Sequence, residues 1–156
     1  MRERTCCFTG HRKLPSRKIQ NIMLNLNREI DRLIDSGVST FISGGALGFD
    51  QMAACLIASK KEMGYDIKLV MALPCYEQES AWSEKGKELY QYLLGQADVV
   101  KYVSENYSND CMEKRNQYMV NQSAYCICAL LRDRSGTGQT VRMARLENCN
   151  ILNVAK

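Results

Sequence analysis

Six short apolar runs, rich in branched residues and cysteine, alternate with segments whose apolar residues recur every three or four positions. This alternation constrains the fold more than any other feature of the chain. The short runs are "RTCCFTG", "STFISG", "IKLVMALP", "DVVKYVS", "YCICALL" and "NILNVA", and most end in Gly, Pro or Ser, as buried strands do. Between the first two, Ile19, Ile22, Met23, Leu26, Ile30, Leu33 and Ile34 draw one helix stripe, opened by Ser16 as a cap after Pro15 and stopped by Gly37. Met52, Ala53, Leu56 and Ile57 mark a second helix over 49–63, with Gly64 as its stop. Further helices are expected over "QESAWSEKGKELYQYLLG", "DCMEKRNQYMVNQS" and "TVRMARLEN". Strands joined through helices need right-handed crossovers, so the expected fold is α/β: a Rossmann-like three-layer α/β/α sandwich with a mainly parallel sheet.

One domain over 1–156 is expected, because 46% of the 156 residues are hydrophobic, only two are proline, and no linker-like run divides the chain. The start of the chain is basic but lacks the apolar stretch of a secretion signal, and every hydrophobic run is too short to cross a bilayer. A cytoplasmic location without a membrane partner is therefore expected. The eight cysteines lie inside apolar runs and read as reduced core thiols; with no Cys-x-x-Cys and a single histidine, no metal site is expected. The net charge is +4, and Arg2, Arg4, Arg12, Lys13, Arg17 and Lys18 crowd the first eighteen residues. Such a cluster suits an anionic ligand or plain solvated surface.

Ligands of parallel sheets collect beyond the carboxyl ends of the strands, so the strand-end loops hold the candidates. In "SGGALGFD", Gly44, Gly45, Ala46 and Gly48 lead straight into a helix, a pattern that lets backbone amides approach phosphate. The same glycines also serve a tight turn and close helix packing. The run is one residue short of G-x-G-x-x-G, with Ser43 in the first glycine position, but it follows the second strand, and no acidic residue ends the third. That argues against a dinucleotide dehydrogenase, and no Walker A sequence occurs. A second loop runs through Ser135, Gly136, Thr137, Gly138, Gln139 and Thr140 into another helix; three hydroxyls and two glycines exceed what capping requires.

The first strand ends in Thr9, Gly10, His11 and Arg12. Arg12 suits a bidentate grip on phosphate or an ion pair with a helix carboxylate, and His11 a hydrogen-bonding or surface role. In "DCMEKRNQYMV" the inward stripe by spacing is Met112, Asn116, Met119 and Val120; Asn116 then needs partners, and with Arg115 it either reaches the ligand rim or holds a neighbouring loop. After the third strand stand Pro74, Gln78 and Trp82, the indole either stacking on a base or packing in the core with Leu89 and Leu93.

Together "FTGHRK", "SGGALGFDQMAA", "ALPC" with Gln78 and Trp82, "KRNQYMV" and "SGTGQTVRMA" resemble the YpsA-like branch of the SLOG superfamily, the Rossmann-like group that contains DprA and the lonely-guy enzymes. The likeness covers nearly the whole chain, with the motifs in family order. It implies a pocket lined by residues 44–50 and 135–140 for a nucleotide or nucleotide-derived ligand, ADP-ribose- or NAD-like or a nucleoside phosphate, in a sensing or regulatory role. Asp50 would meet ribose hydroxyls, and no cofactor is required. Lonely-guy phosphoribohydrolases carry P-G-G-x-G-T-x-x-E, whose glutamate position is Arg142 here, so the expectation leans away from an enzyme. The alternative is a hydrolase of a nucleotide's N-glycosidic or phosphate linkage, with Asp50 as its one candidate catalytic group. Single-stranded nucleic-acid binding ranks third, because the basic segment holds only Phe8 as an aromatic. Relatives often pair, which leaves a homodimer open.

Overall fold

The computed structural model describes residues 2–156. Among them, six strands, β1 (Thr5–Gly10), β2 (Thr40–Ser43), β3 (Lys68–Leu73), β4 (Val99–Tyr102), β5 (Tyr125–Ala129) and β6 (Asn150–Asn153), alternate with five helices. The helices are α1 (Ser16–Asp35), α2 (Phe49–Glu62), α3 (Glu84–Gln96), α4 (Cys111–Asn121) and α5 (Gly136–Leu146). All strands are parallel, in the order β4-β3-β2-β1-β5-β6, so the expected α/β sandwich is the one observed. The chain steps outward from β1 through β2 and β3 to β4, then returns to lay β5 on the other side of β1. This reversal opens a crevice beyond the carboxyl ends of β1 and β5, where Gly10 stands opposite Ala129.

The core follows from strand alternation. Phe8, Phe41, Leu69, Met71 and Ile127 face one way and pack on Ile22, Leu26 and Ile30 of α1, Ala53 and Ile57 of α2, and Leu93 of α3. Cys7, Ile42, Ala72 and Cys126 face the other way, against Met119 and Val120 of α4 and Ala144 of α5. The rings of Phe8 and Phe41 lie nearly parallel with centroids 6.0 Å apart, joining β1 to β2. All eight cysteines are free and seven are buried. No helix among the described residues is long and apolar enough to cross a membrane.

Three local expectations are corrected. Pro15, not Ser16, caps α1; its carbonyl accepts the Lys18 amide at 2.8 Å, and Ser16 is already helical. Proline's fixed φ suits the place where the chain turns into the helix. Turns occupy 76–82, so α3 begins only at Glu84, behind Ser83, whose side chain accepts the Gly86 amide. On α4 the buried stripe is Cys111, Arg115, Met119 and Val120, while Met112 and Asn116 are only half-buried. An arginine holds the position that periodicity reserves for an apolar residue.

Candidate functional site

Beyond the β1 and β5 ends lies an open cleft of about 460 Å³. Thr9 to Lys13 of the β1 loop form one wall, Ala46 and Asp50 at the start of α2 the floor, and Met112, Arg115 and Asn116 of α4 a second wall. Arg132, Ser135, Gly136 and Thr137, between β5 and α5, close the far side. The cleft thus gathers Thr9, Gly10, His11, Arg12, Ala46, Asp50, Arg115, Asn116, Ser135, Gly136 and Thr137. Gly44, Gly45, Gly48, Gly138, Gln139, Thr140, Pro74, Gln78 and Trp82 do not line it. Lys13 entered the sequence reading only as part of the basic cluster and Met112 only as part of the α4 stripe, and Arg132 was passed over, although "LRDRS", between a strand and a glycine turn, carried its signal.

The turn into α2 is tied up from within. Ser43 Oγ accepts the Gly45 amide (3.2 Å) and donates to the Asp50 carbonyl (2.8 Å), and the Phe49 amide donates to the His11 carbonyl (3.2 Å). Gly48 has φ 85°, and a Cβ there would come within 2.2 Å of the Arg12 carbonyl oxygen, so the β1 loop lies directly over this helix end. Gly44 makes room for a side chain: a Cβ would stand 2.4 Å from Arg115 Nη1.

Arg115 explains the displaced stripe of α4. Its buried guanidinium donates through Nη1 to the carbonyls of Gly44 (2.7 Å) and Ala72 (3.3 Å), and through Nε to Asn116 Oδ1 (2.8 Å). It is the bracket that holds α4 to the ends of β2 and β3. Burial lowers its pKa, and the charge of Asp50 works in the opposite direction. Asp50 is 6% exposed, and its carboxyl is pushed up to about 6, chiefly by burial, against the pull of Arg115, the Ala46 amide and Arg12. Its Oδ1 has no hydrogen-bond partner. A buried carboxylate oxygen without a donor is rare in a folded protein.

His11 ties the two sides of the crevice together. Its Nε2 accepts the Leu131 amide at 3.0 Å, which leaves the ring proton on Nδ1 in the neutral form. Burial and then the nearby Arg132 guanidinium lower its pKa, which favours the neutral ring.

The turn into α5 differs from the one into α2. Ser135 caps the helix, its Oγ accepting the Gly138 amide (3.0 Å) and donating to the Arg132 carbonyl (2.6 Å). Gly138 packs on the Asp133 carbonyl with no room for a Cβ, and Thr140 Oγ1 donates to the Gly136 carbonyl (3.0 Å). The amides of Gly136 and Thr137 donate to no other described group, and both residues line the cleft. With the exposed Arg12 and Lys13 and with Arg132, they leave the rim short of negative charge. Arg142, on the same helix, stands outside the cleft and donates to the Asp133 carbonyl at 3.2 Å.

The three residues after β3 form a separate group. Pro74 is buried, its carbonyl accepting the Ser104 amide (3.1 Å). Gln78 Nε2 donates to the Gly44 carbonyl (3.3 Å) and to Tyr90 Oη (3.0 Å). Trp82 meets the Tyr90 ring edge-on, with centroids 5.2 Å apart, and packs against the larger core cluster.

Residues 7–148 match the family model described as the YspA SLOG family. The uncharacterized SPbeta prophage-derived protein YoqJ of Bacillus subtilis is 32% identical over 67% of this chain and 68% of its own length. A UPF0398 protein of Bacillus pumilus is 30% identical, over 67% of this chain but only 58% of its own length. Among solved structures, DNA processing protein A (DprA) of Streptococcus pneumoniae superposes with a TM-score of 0.69 at 17% identity, over 96% of this chain and 49% of that one. The Helicobacter pylori DprA, whose structure is described for its single-stranded DNA binding mode, gives 0.64 at 18% identity, over 94% and 63%. The chain spans about half to under two thirds of these DprA chains, and at such identity the likeness is one of fold. Matched by its family model from the first strand to the end of the last helix, the chain belongs to the YspA SLOG family.

Proposed function

We propose that the cleft between β1 and β5 binds a nucleotide or nucleotide-derived anion, in a sensing or regulatory role. The observation that carries this reading is the pair of unclaimed amides at Gly136 and Thr137, on one cleft with Arg12, Lys13 and Arg132. Such amides at a helix start, joined by guanidinium groups, make a site for phosphate oxygens. Asp50, with its bare Oδ1, is suited to accept from ribose hydroxyls. A thermal-shift screen with AMP, ADP, ADP-ribose, NAD and cyclic nucleotides tests the reading, since a ligand of the native state raises Tm. At least one of these is expected to do so. Arg12→Ala, at an exposed side chain, is expected to weaken that ligand roughly tenfold or more while leaving the Tm of the free protein in place. A panel that leaves Tm flat sinks the reading.

A second reading, hydrolysis of the bound nucleotide, draws on Asp50, whose pKa near 6 suits proton transfer at neutral pH. Product analysis after incubation separates the two: turnover abolished in Asp50→Ala would make the protein an enzyme. Single-stranded DNA binding, suggested by the DprA fold, calls for an affinity that falls steeply with salt.

A further inference from the structure

A second hollow, of about 400 Å³, opens where the chain leaves β3 and β4, and Cys75, Tyr76, Gln78, Glu105, Tyr107 and Met112 line it. It adjoins the first cleft. Met112 lines both, and the Gly44 carbonyl accepts from Arg115 on one side and Gln78 on the other, so the two spaces share a wall. Their chemistry is opposite. The lining of the cleft holds Arg12, Lys13, Arg115 and Arg132 against Asp50 alone, whereas the lining of the hollow holds Glu77 and Glu105 and no cation.

The hollow has features that fit a flat ring carrying hydrogen-bond donors. Tyr76 is stacked on Tyr102 with centroids 4.0 Å apart, which fixes its plane, and it remains 55% exposed; Tyr107 is 75% exposed. Aromatic faces left in water at a concave site are platforms for stacking. Gln78 Oε1, in the same wall, is buried and has no hydrogen-bond partner, although the amide nitrogen of that side chain has two. Glu77 is held at φ 61°, in the left-handed region that a glutamate rarely adopts, so the turn keeps a shape its sequence does not favour. Acceptors, aromatic faces and negative charge together suit a base with an amino group and repel phosphate.

Building on the nucleotide reading above, we propose that this hollow is the subsite for an amino-bearing nucleobase. Its ligand is then a nucleoside diphosphate derivative, with its anionic end in the cleft and its base against Tyr76 and Tyr107. The strand order sets the length: from the β1/β5 boundary to the β3/β4 boundary is three inter-strand spacings, about 14 Å. That distance calls for a sugar and two phosphates in a row, the outer one in the cleft and the ring in the hollow. The acidic hollow also disfavours a continuous nucleic-acid strand, which would carry a phosphate into it.

The experiment is calorimetric titration of the full chain with ADP, IDP and ribose 5-phosphate, in the wild type, Tyr107→Ala and Arg12→Ala. ADP is expected to bind more tightly than IDP, which lacks the amino group, and far more tightly than ribose 5-phosphate, which lacks the base. Tyr107→Ala is expected to weaken ADP by roughly 5- to 150-fold, the range of a base–aromatic stack, and to leave ribose 5-phosphate unchanged. Equal affinity for ADP and IDP overturns the proposal, as does a Tyr107→Ala effect that is absent or the same for ADP and ribose 5-phosphate. Arg12→Ala reports on the cleft alone: if it weakens neither ADP nor ribose 5-phosphate, the underlying reading fails, whatever Tyr107 does.

Discussion

The entrances to α2 and α5 look alike in sequence, each a strand followed by glycines and a helix, yet the protein packs and bonds them differently. At α2 three groups are engaged by the protein itself, Ser43 holding the Gly45 amide, His11 the Phe49 amide and Arg115 the Gly44 carbonyl, while the Asp50 and Gln51 amides donate to no other described group. Its glycines are there because other chain segments press against them. At α5 one capping hydroxyl serves one amide, and Gly136 and Thr137 keep theirs free beside the cleft. Glycine content marks where backbone comes close to something. Whether that something is a ligand or the protein's own backbone depends on distant residues.

The strongest test of this contrast is a matched pair of alanine substitutions. Gly48→Ala places a methyl against the Arg12 carbonyl at a positive φ and is expected to destabilise the fold by roughly 3 kcal/mol or more. Gly136→Ala meets nothing within 4 Å and is expected to change stability by less than about 1 kcal/mol. Urea unfolding of both proteins measures the difference, and similar losses would erase the distinction.

Asp50 gives the next effect. Its folded pKa, about 6, lies above the ordinary carboxylate value, so between the two the folded protein keeps a proton that the unfolded chain has lost. Stability therefore falls as pH rises through that window and stays lower above it. Asp50→Asn is expected to stabilise the protein by roughly 2 to 3 kcal/mol at about pH 7.5 and hardly at all near pH 3.5. Denaturation curves at both pH values check it; an equal gain at both would show that the buried charge is not the cause. The smallest effect belongs to Ser135→Ala, expected to cost about 1 kcal/mol as the loss of a helix cap. A larger loss would mean that the α5 entrance is as interlocked as that of α2.

The fold was legible because each strand and helix announces itself over several residues: all six apolar runs became strands, and Gly37 and Gly64 follow the helices they were expected to stop. The lining of the cleft was legible only where a loop's position follows from strand order, as for Arg12, Asp50 and Gly136. The α4 stripe was misread by one position because apolar periodicity has no place for a buried arginine, and the acceptors that make Arg115 tolerable, Gly44 and Ala72, lie far away in the sequence. Tyr76 and Tyr107 gave no signal, since aromatics in irregular segments follow no period. Only the sheet, by setting β3 beside β4, brings their loops together.

The bond from the Leu131 amide to His11 ties the loop after β1 to the loop after β5, its neighbour in the sheet. Such a tie works against the two loops moving apart independently. If the cleft takes the ligand proposed above, entry is expected in a single bimolecular step, seen in stopped-flow binding as an observed rate that rises linearly with ligand concentration and falls with salt.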